Sequence, residues 1–182
     1  MLEDSISLRM KRSIYFLLFL FIPFLSVAQD KNVIKQQALI VAKATVTQDY
    51  ATIIKYTHPS LIKMMGGSEA MFKLISSSMN KMSKQGIMID SVVIGTPEEI
   101  FKAGSELHCL VPEGLLMTVP NGKLLSKSHL LAISGDNGLN WTFINVSSQI
   151  NNKTITQLLP NFNQNLRLPE DTKPVFYKDD IK

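Results

Sequence analysis

The residues of this chain that are best suited to chemistry are a tyrosine, two histidines and a tryptophan. Tyr56 and His58 stand in the segment YTHPSLIKMMGG, next to a proline and ahead of paired glycines. A phenol and an imidazole can donate hydrogen bonds to a ligand, and an imidazole also exchanges protons near neutral pH. His129 falls on an otherwise apolar strand face, and Trp141 offers an aromatic wall. We predict Tyr56, His58, His129 and Trp141 as ligand-binding pocket residues.

No sequence motif in the chain carries a reaction. The nucleophile elbow, the phosphate-binding loop and the paired-glycine nucleotide fingerprint are all missing from the sequence. The histidines lack metal-ligand spacing, and the single cysteine, Cys109, has no partner. We therefore predict no cofactor, no metal and no catalytic residue. An acid–base enzyme stays open as an alternative, but the carboxylates Asp90 and Glu106 are placed near strand ends or on a solvent face.

The segment YTHPSLIKMMGG also has a purely structural interpretation. Pro59 suits the first turn of a helix, where its missing N–H would be unpaired, and Thr57 or His58 stands where a cap belongs. Gly66 and Gly67 favour a left-handed stop, after which Ser68 is expected to cap the next helix.

The elements around these residues are predicted from periodicity. Apolar residues recur at helical spacing over residues 31–47, a short helix runs from an Asp49 cap through Tyr56, and a third helix covers residues 69–84. We interpret the apolar stripe of this third helix as core. The stripe consists of Met71, Phe72, Ile75, Met79 and Met82.

From Ile87 the period changes to two, which predicts strands. Asn121-Gly122 and Asp136-Asn137-Gly138 supply hairpin turns. The predicted strands are Ile87–Gly95, Ile100–Val111, Leu115–Val119, Lys123–Ser134 and Trp141–Val146.

Helices followed by strands predict an α+β fold, with N-terminal helices packed on a curved antiparallel sheet. The length of 182 residues, 45% of them hydrophobic, suits one domain. We assign it to residues 29–160, followed by an irregular C-terminal tail over residues 161–182 that packs on the domain or trails from it.

The N-terminus has the three parts of an export signal. Lys11-Arg12 follows Met10, the predicted start; an apolar stretch covers residues 13–25, and Ser26-Val27-Ala28 supplies the small residues that a signal peptidase reads. We predict cleavage before Gln29, so residues 1–28 form a signal peptide. The apolar stretch is shorter than the ~20 residues needed to span a bilayer, so we expect no stable membrane insertion after cleavage, and a location in the periplasm or medium. An uncleaved anchor is the alternative.

Charge argues against nucleic acid as a partner. The net charge is +4, but the lysines are scattered and form no basic helix face.

Two resemblances bear on fold and function. SGDNGLNW, residues 134–141, resembles the Asp-box of sialidases, with Asn140 in place of the usual threonine, and we interpret this single copy as a hairpin device.

Four segments carry the second resemblance, in this order: DYATIIKYTHPSLIKMMGGSEAMFKLI, ELHCLVPE, SGDNGLNWTFI and TQLLPNFNQNLRLP. With them the chain resembles a family of uncharacterised exported proteins from Bacteroidota and related Gram-negative bacteria, within the nuclear transport factor 2-like superfamily.

That resemblance implies a cystatin-like roll, a cone-shaped sheet wrapped on helices with a pocket in its mouth. The superfamily contains isomerases, dehydratases, hydrolases and non-catalytic binding domains, so the fold does not decide the activity. We expect a non-catalytic module that binds a small apolar ligand or a protein partner. The alternative is a small isomerase or dehydratase whose acid faces a pocket tyrosine or histidine.

Overall fold

The computed structural model describes residues 22–146, 150, 152–170 and 172–178. Four helices come first along this part of the chain, and strands follow them. The helices are α1 (Ile22–Val46), α2 (Tyr50–Tyr56), α3 (Pro59–Met64) and α4 (Ser68–Lys84), with α5 (Asn152–Leu158) after the main strands. The strands are β1 (Met88–Ile94), β2 (Ile100–Ala103), β3 (Glu106–Val119), β4 (Gly122–Ser134), β5 (Thr142–Val146) and β6 (Val175–Lys178).

Local sequence signals set the helix boundaries. Asp49 caps α2 by accepting a hydrogen bond from the Thr52 N–H at 3.1 Å. His58 caps α3, and Pro59 occupies the first turn, as predicted. The prediction that Ser68 caps α4 is wrong: Gly67 is the N-cap, at φ +98°, and no side chain caps this helix. Gly66, at φ +89°, makes the left-handed stop of α3.

The predicted strand Ile100–Val111 is wrong, because the chain turns at Gly104 and forms the β2–β3 hairpin. β3 then continues through residues 112–114, which the predicted strands Ile100–Val111 and Leu115–Val119 left out. β4 pairs with one edge of β3. Along the other edge, β2 pairs with β3 as far as Cys109, and β1 pairs with it from Glu113 onward. The missing N–H of Pro112 falls in the gap between these two partners, where no ladder bond is lost.

The sheet has the order β1-β3-β4-β5, with β2 beside β3 and β6 beside β4. All pairings of these strands are antiparallel, and the sheet is curved and unclosed. The prediction of an α+β fold with N-terminal helices on an antiparallel sheet is therefore confirmed.

Both faces of the sheet are covered. On one face, α1 packs Ile34 and Ala38 against strand residues such as Val111 and Ala132. On the other face, α5 and the segment after it pack against Leu131 and its neighbours. The buried residues from this segment are Ile155, Leu158, Leu159, Phe162 and Leu166.

The predicted tail, residues 161–182, therefore supplies buried core through Phe162 and Leu166 and contains β6. The remaining described residues of this segment are outside regular secondary structure.

The methionine-bearing stripe of α4 is core only in part. Met71 is buried, Ile75 packs partly buried against the core, and Phe72 is 46% exposed. Met79 and Met82 are half-buried because they face a cavity. Within the described residues, no helix combines the length and the apolar character needed to cross a membrane.

Candidate functional site

A cavity of about 590 Å³ lies between the helices and the α1 side of the sheet. Its helical walls come from α1, α2 and α4, and its floor comes from β1, β3, β4 and β5. The volume falls in the range of small-molecule sites, about 300–1,000 Å³. The cavity is thus large enough for a small organic ligand.

Apolar side chains form most of its wall. Ile53, Leu115 and Phe143 provide aliphatic and aromatic surface, and α4 adds Met79 and Met82. Methionine is unbranched and flexible, so it can adapt to ligands of different shape. The wall is therefore suited to an apolar molecule without fixing its outline.

One carboxyl group stands among these apolar walls. Glu113 on β3 lies directly across from Ser128 on β4, and Asn145 on β5 completes a polar row on the same sheet face. The Glu113 Oε2 atom accepts hydrogen bonds from Ser128 Oγ at 2.8 Å and from Asn145 Nδ2 at 2.8 Å. Three neighbouring strands therefore hold this carboxyl in one orientation.

Burial raises the pKa of Glu113, and the hydrogen bonds from Ser128 and Asn145 oppose that rise. Across the described residues, no basic nitrogen forms an ion pair with it. Lys127 contributes to the cavity lining but makes no such pair. Glu113 is thus a partly desolvated acid that no described basic side chain pairs with.

Tyr56 is the predicted site residue that lines this cavity. It lies at the end of α2 and also packs against the cluster around α1. The other three predicted residues, His58, His129 and Trp141, are not among those that line it.

His58 has a structural position. Its Nδ1 atom accepts from the Ser60 N–H at 3.3 Å, and its backbone N–H donates to the Phe143 carbonyl at 3.1 Å. These bonds fasten the α2–α3 connection to the edge of β5, where Thr57 bridges Phe143. Burial lowers the pKa of His58, while nearby Glu106 raises it and His108 lowers it.

His108 is fully buried, although the sequence analysis did not propose it. Its ring stacks on Phe162 at 5.6 Å between centroids, and its Nε2 atom lies 3.3 Å from Glu106 Oε2. Burial lowers the pKa of His108, and the Glu106 hydrogen bond opposes this. The pair is part of the core on the sheet face opposite the cavity.

His129 lies on that same opposite face, half-buried, with Nε2 3.9 Å from Glu98 Oε1. Trp141 is 1% exposed; its indole N–H donates to the Gly138 carbonyl at 2.9 Å. Its backbone N–H donates to Gln37 Oε1 at 2.8 Å, which ties α1 to the β4–β5 hairpin. Trp141 therefore packs in the hairpin and against α1.

The Asp-box-like segment is a hairpin device, as its sequence indicates. The Asp136 carboxylate accepts from the Asn140 N–H at 2.9 Å, and Ser134 Oγ accepts from the Gly138 N–H at 2.9 Å. Gly138 has φ +89°. The hydrogen bonds from Asn140 and Ser134 lower the pKa of Asp136, and all of these contacts lie within the turn.

Glu113 is the functional candidate that the sequence analysis missed. One predicted strand ended at Val111 and the next began at Leu115, so Glu113 fell outside both. Continuing the period of two places Glu113 on the face of Cys109 and Val111, which is apolar and buried. A carboxylate on such a face is the signal that could have identified it.

Across the described residues, no three His, Cys, Asp or Glu side chains stand close enough to hold a metal ion. Comparison of the chain with protein-family models, with curated proteins and with solved structures gave no match.

Proposed function

We propose that this protein is an exported, non-catalytic binding module that holds a small, largely apolar ligand in the cavity between its helices and sheet. The observation that carries the proposal is a preformed apolar cavity of about 590 Å³ with one oriented carboxyl, Glu113. Small-ligand sites combine such apolar walls with a few placed polar groups.

Export follows from the signal-like N-terminus and is compatible with the packing of α1. Cleavage before Gln29 would fall within α1, which spans Ile22–Val46. Among the α1 residues whose burial is described, Ile34, Ala38 and Ala42 pack against the sheet, and all three follow that point. A mature chain would therefore keep these contacts. We also retain the proposed membership of the nuclear transport factor 2-like superfamily.

Filling the cavity tests the binding proposal. Ser126 lines the cavity from β4, and a tryptophan there would occupy space that a ligand needs. The probe is phenylnaphthylamine, a neutral apolar dye that becomes fluorescent in apolar surroundings. We expect the parent protein to bind it and Ser126→Trp to bind at least about tenfold more weakly, a change of roughly 1.4 kcal/mol.

Ser77→Trp is the matched control, because Ser77 is exposed on α4 and does not line the cavity. This control should bind the dye as the parent does. Equal binding by the parent and the Ser126→Trp variant, with both folded by circular dichroism, would refute a ligand site in this cavity.

The alternative enzyme has one observation in its favour. Glu113 is a carboxyl with a raised pKa, and Tyr56 lines the same cavity. An isomerase or dehydratase of the expected type also needs a tyrosine or histidine within hydrogen-bond reach of the acid. The hydrogen bonds that Glu113 accepts within the described part of the chain come from Ser128 and Asn145 instead. Binding is therefore the better supported function.

A further inference from the structure

The two oxygens of Glu113 are used unequally. Both protein donors, Ser128 Oγ and Asn145 Nδ2, point at Oε2. Oε1 has no hydrogen bond from any described residue, and it is not among the buried atoms left without a partner. One carboxyl oxygen is thus held by the sheet, and the other belongs to a residue that lines the cavity and accepts no hydrogen bond from the described residues.

The hydrogen bonds to the carboxyl favour its ionised form, although burial outweighs them, so the charge lacks full compensation within the described residues. A hydroxyl and an amide N–H₂ both donate to it, and donors to a carboxylate stabilise the negative charge. Apolar walls surround it on the cavity side, and no basic group in the described ranges neutralises it. A partly buried charge of this kind is compensated by a partner that brings both a donor and a positive charge.

On this basis, and resting on the proposed binding function, we infer that the ligand is an apolar molecule with a cationic amine head that donates to Glu113 Oε1. The hydrocarbon body lies along the walls formed by Met79, Met82, Leu115 and Phe143. A carboxylate or phosphate head is disfavoured, because it would place a second negative charge next to Glu113. An alcohol head could donate a hydrogen bond but would leave the charge unpaired.

Three probes that share one hydrocarbon chain separate these head groups: decylamine, decanol and decanoate. Their binding to the mature protein is measured by calorimetry at neutral pH, below the concentrations at which they form micelles. We expect decylamine to bind about tenfold or more tighter than decanol, which is the scale of a partly desolvated ion pair, and decanoate to bind weakest.

Two substitutions locate the effect. Glu113→Gln keeps the shape and can still accept from Ser128 and Asn145, but it removes the charge. It should lower decylamine affinity to that of decanol and leave decanol binding within about twofold of the parent. Asp90→Asn is the matched control: Asp90 pairs with Lys123 at 2.7 Å and does not line the cavity, so the preference for the amine should persist.

The outcomes distinguish this inference from the function on which it rests. If all three probes bind the parent with equal affinity, the cavity still holds apolar ligands and the cationic head is refuted. If Glu113→Gln keeps the preference for decylamine, Glu113 is refuted as its partner. If none of the probes binds the parent, the cavity-binding function fails, and the inference fails with it.

Discussion

Replacing Gly122 by alanine should release β6 without unfolding the domain. Gly122 opens β4 and pairs with Lys178 at the end of β6. A Cβ built on Gly122 would overlap the Tyr177 carbonyl oxygen and lie 2.9 Å from the Phe176 ring. The backbone of Gly122 is not in the left-handed region, so alanine is compatible with the β4 conformation itself. The perturbation therefore acts on the contact with β6.

The structure indicates that little stability is lost with β6. Its four residues are all exposed, with Phe176 and Tyr177 at 51% and 52%. A pairing of this length forms about two to four hydrogen bonds, and each contributes roughly 1 kcal/mol net to stability. Ordering each residue of the strand costs about 1–2 kcal/mol in backbone entropy. For four residues this cost, about 4–8 kcal/mol, is at least as large as the hydrogen-bond contribution, so the pairing of β6 adds little net stability. The free energy of unfolding should therefore change by less than about 1 kcal/mol, close to the range of surface substitutions.

Limited proteolysis with chymotrypsin measures the release, because the enzyme cleaves after Phe176 and Tyr177. Cleavage within β6 requires that the strand leaves β4, so Gly122→Ala should be cut there much faster than the parent, with a nearly unchanged melting temperature. Gly135→Ala is the control, since nothing lies within 4 Å of its added Cβ. Parent-like cleavage of Gly122→Ala would refute the reasoning, and so would a fall in melting temperature as large as that of a core substitution.

Three further predictions concern stability. Burial raises the pKa of Glu113, so its ionisation as pH rises lowers the free energy of unfolding. In urea at pH 7, Glu113→Gln should therefore be more stable than the parent, and this advantage should shrink as the pH is lowered toward 4.5, the ordinary pKa of the group. Burial lowers the pKa of both His58 and His108, so the free energy of unfolding should be highest above pH 6.5, their ordinary pKa, and should fall as the pH drops below it. Urea unfolding of His108→Phe should show a smaller fall over the same pH range. Both Gly66 and Gly67 have positive φ, so replacing either by alanine should lower the free energy of unfolding by about 1 kcal/mol or more. Thermal unfolding measures this loss, and parent-like melting of both variants would contradict it.

The sequence predicted the elements whose signals are local. The Asp49 cap, Pro59 in the first turn of α3 and the left-handed Gly66 each depend on a few neighbouring residues, and all three are found as expected. The change from helical period to period two likewise located the sheet. Boundaries were less accurate where one local signal outweighed another, as at Ser68, where Gly67 takes the cap position.

The candidate site was harder to predict because its residues meet only through strand register. Glu113 and Ser128 face each other across β3 and β4, and Asn145 comes from a third strand. No spacing within one segment reveals that arrangement. The predicted break between Val111 and Leu115 concealed it further, since whether β3 can continue through Pro112 depends on the pairing of two other strands. Tyr56 was found because an aromatic residue at a helix end is visible locally. The role of His58 depended on where the α2–α3 connection docks, and that of His129 on which sheet face it occupied.

The hydrogen bonds of Gln37 also bear on the order in which the chain folds. This one side chain accepts from the Trp141 N–H and donates to the Leu139 carbonyl, across sequence separations of 104 and 102 residues. At a synthesis rate of about 5–20 residues per second, α1 would emerge roughly 5–20 s before its partners exist. During that interval Ile34 and Ala38 have no sheet to cover them. The β3–β4 hairpin, by contrast, closes over a short loop at Asn121 and can form early. The helix α1 is thus made long before the strands on which it packs, and it is among the last of the described elements that can dock.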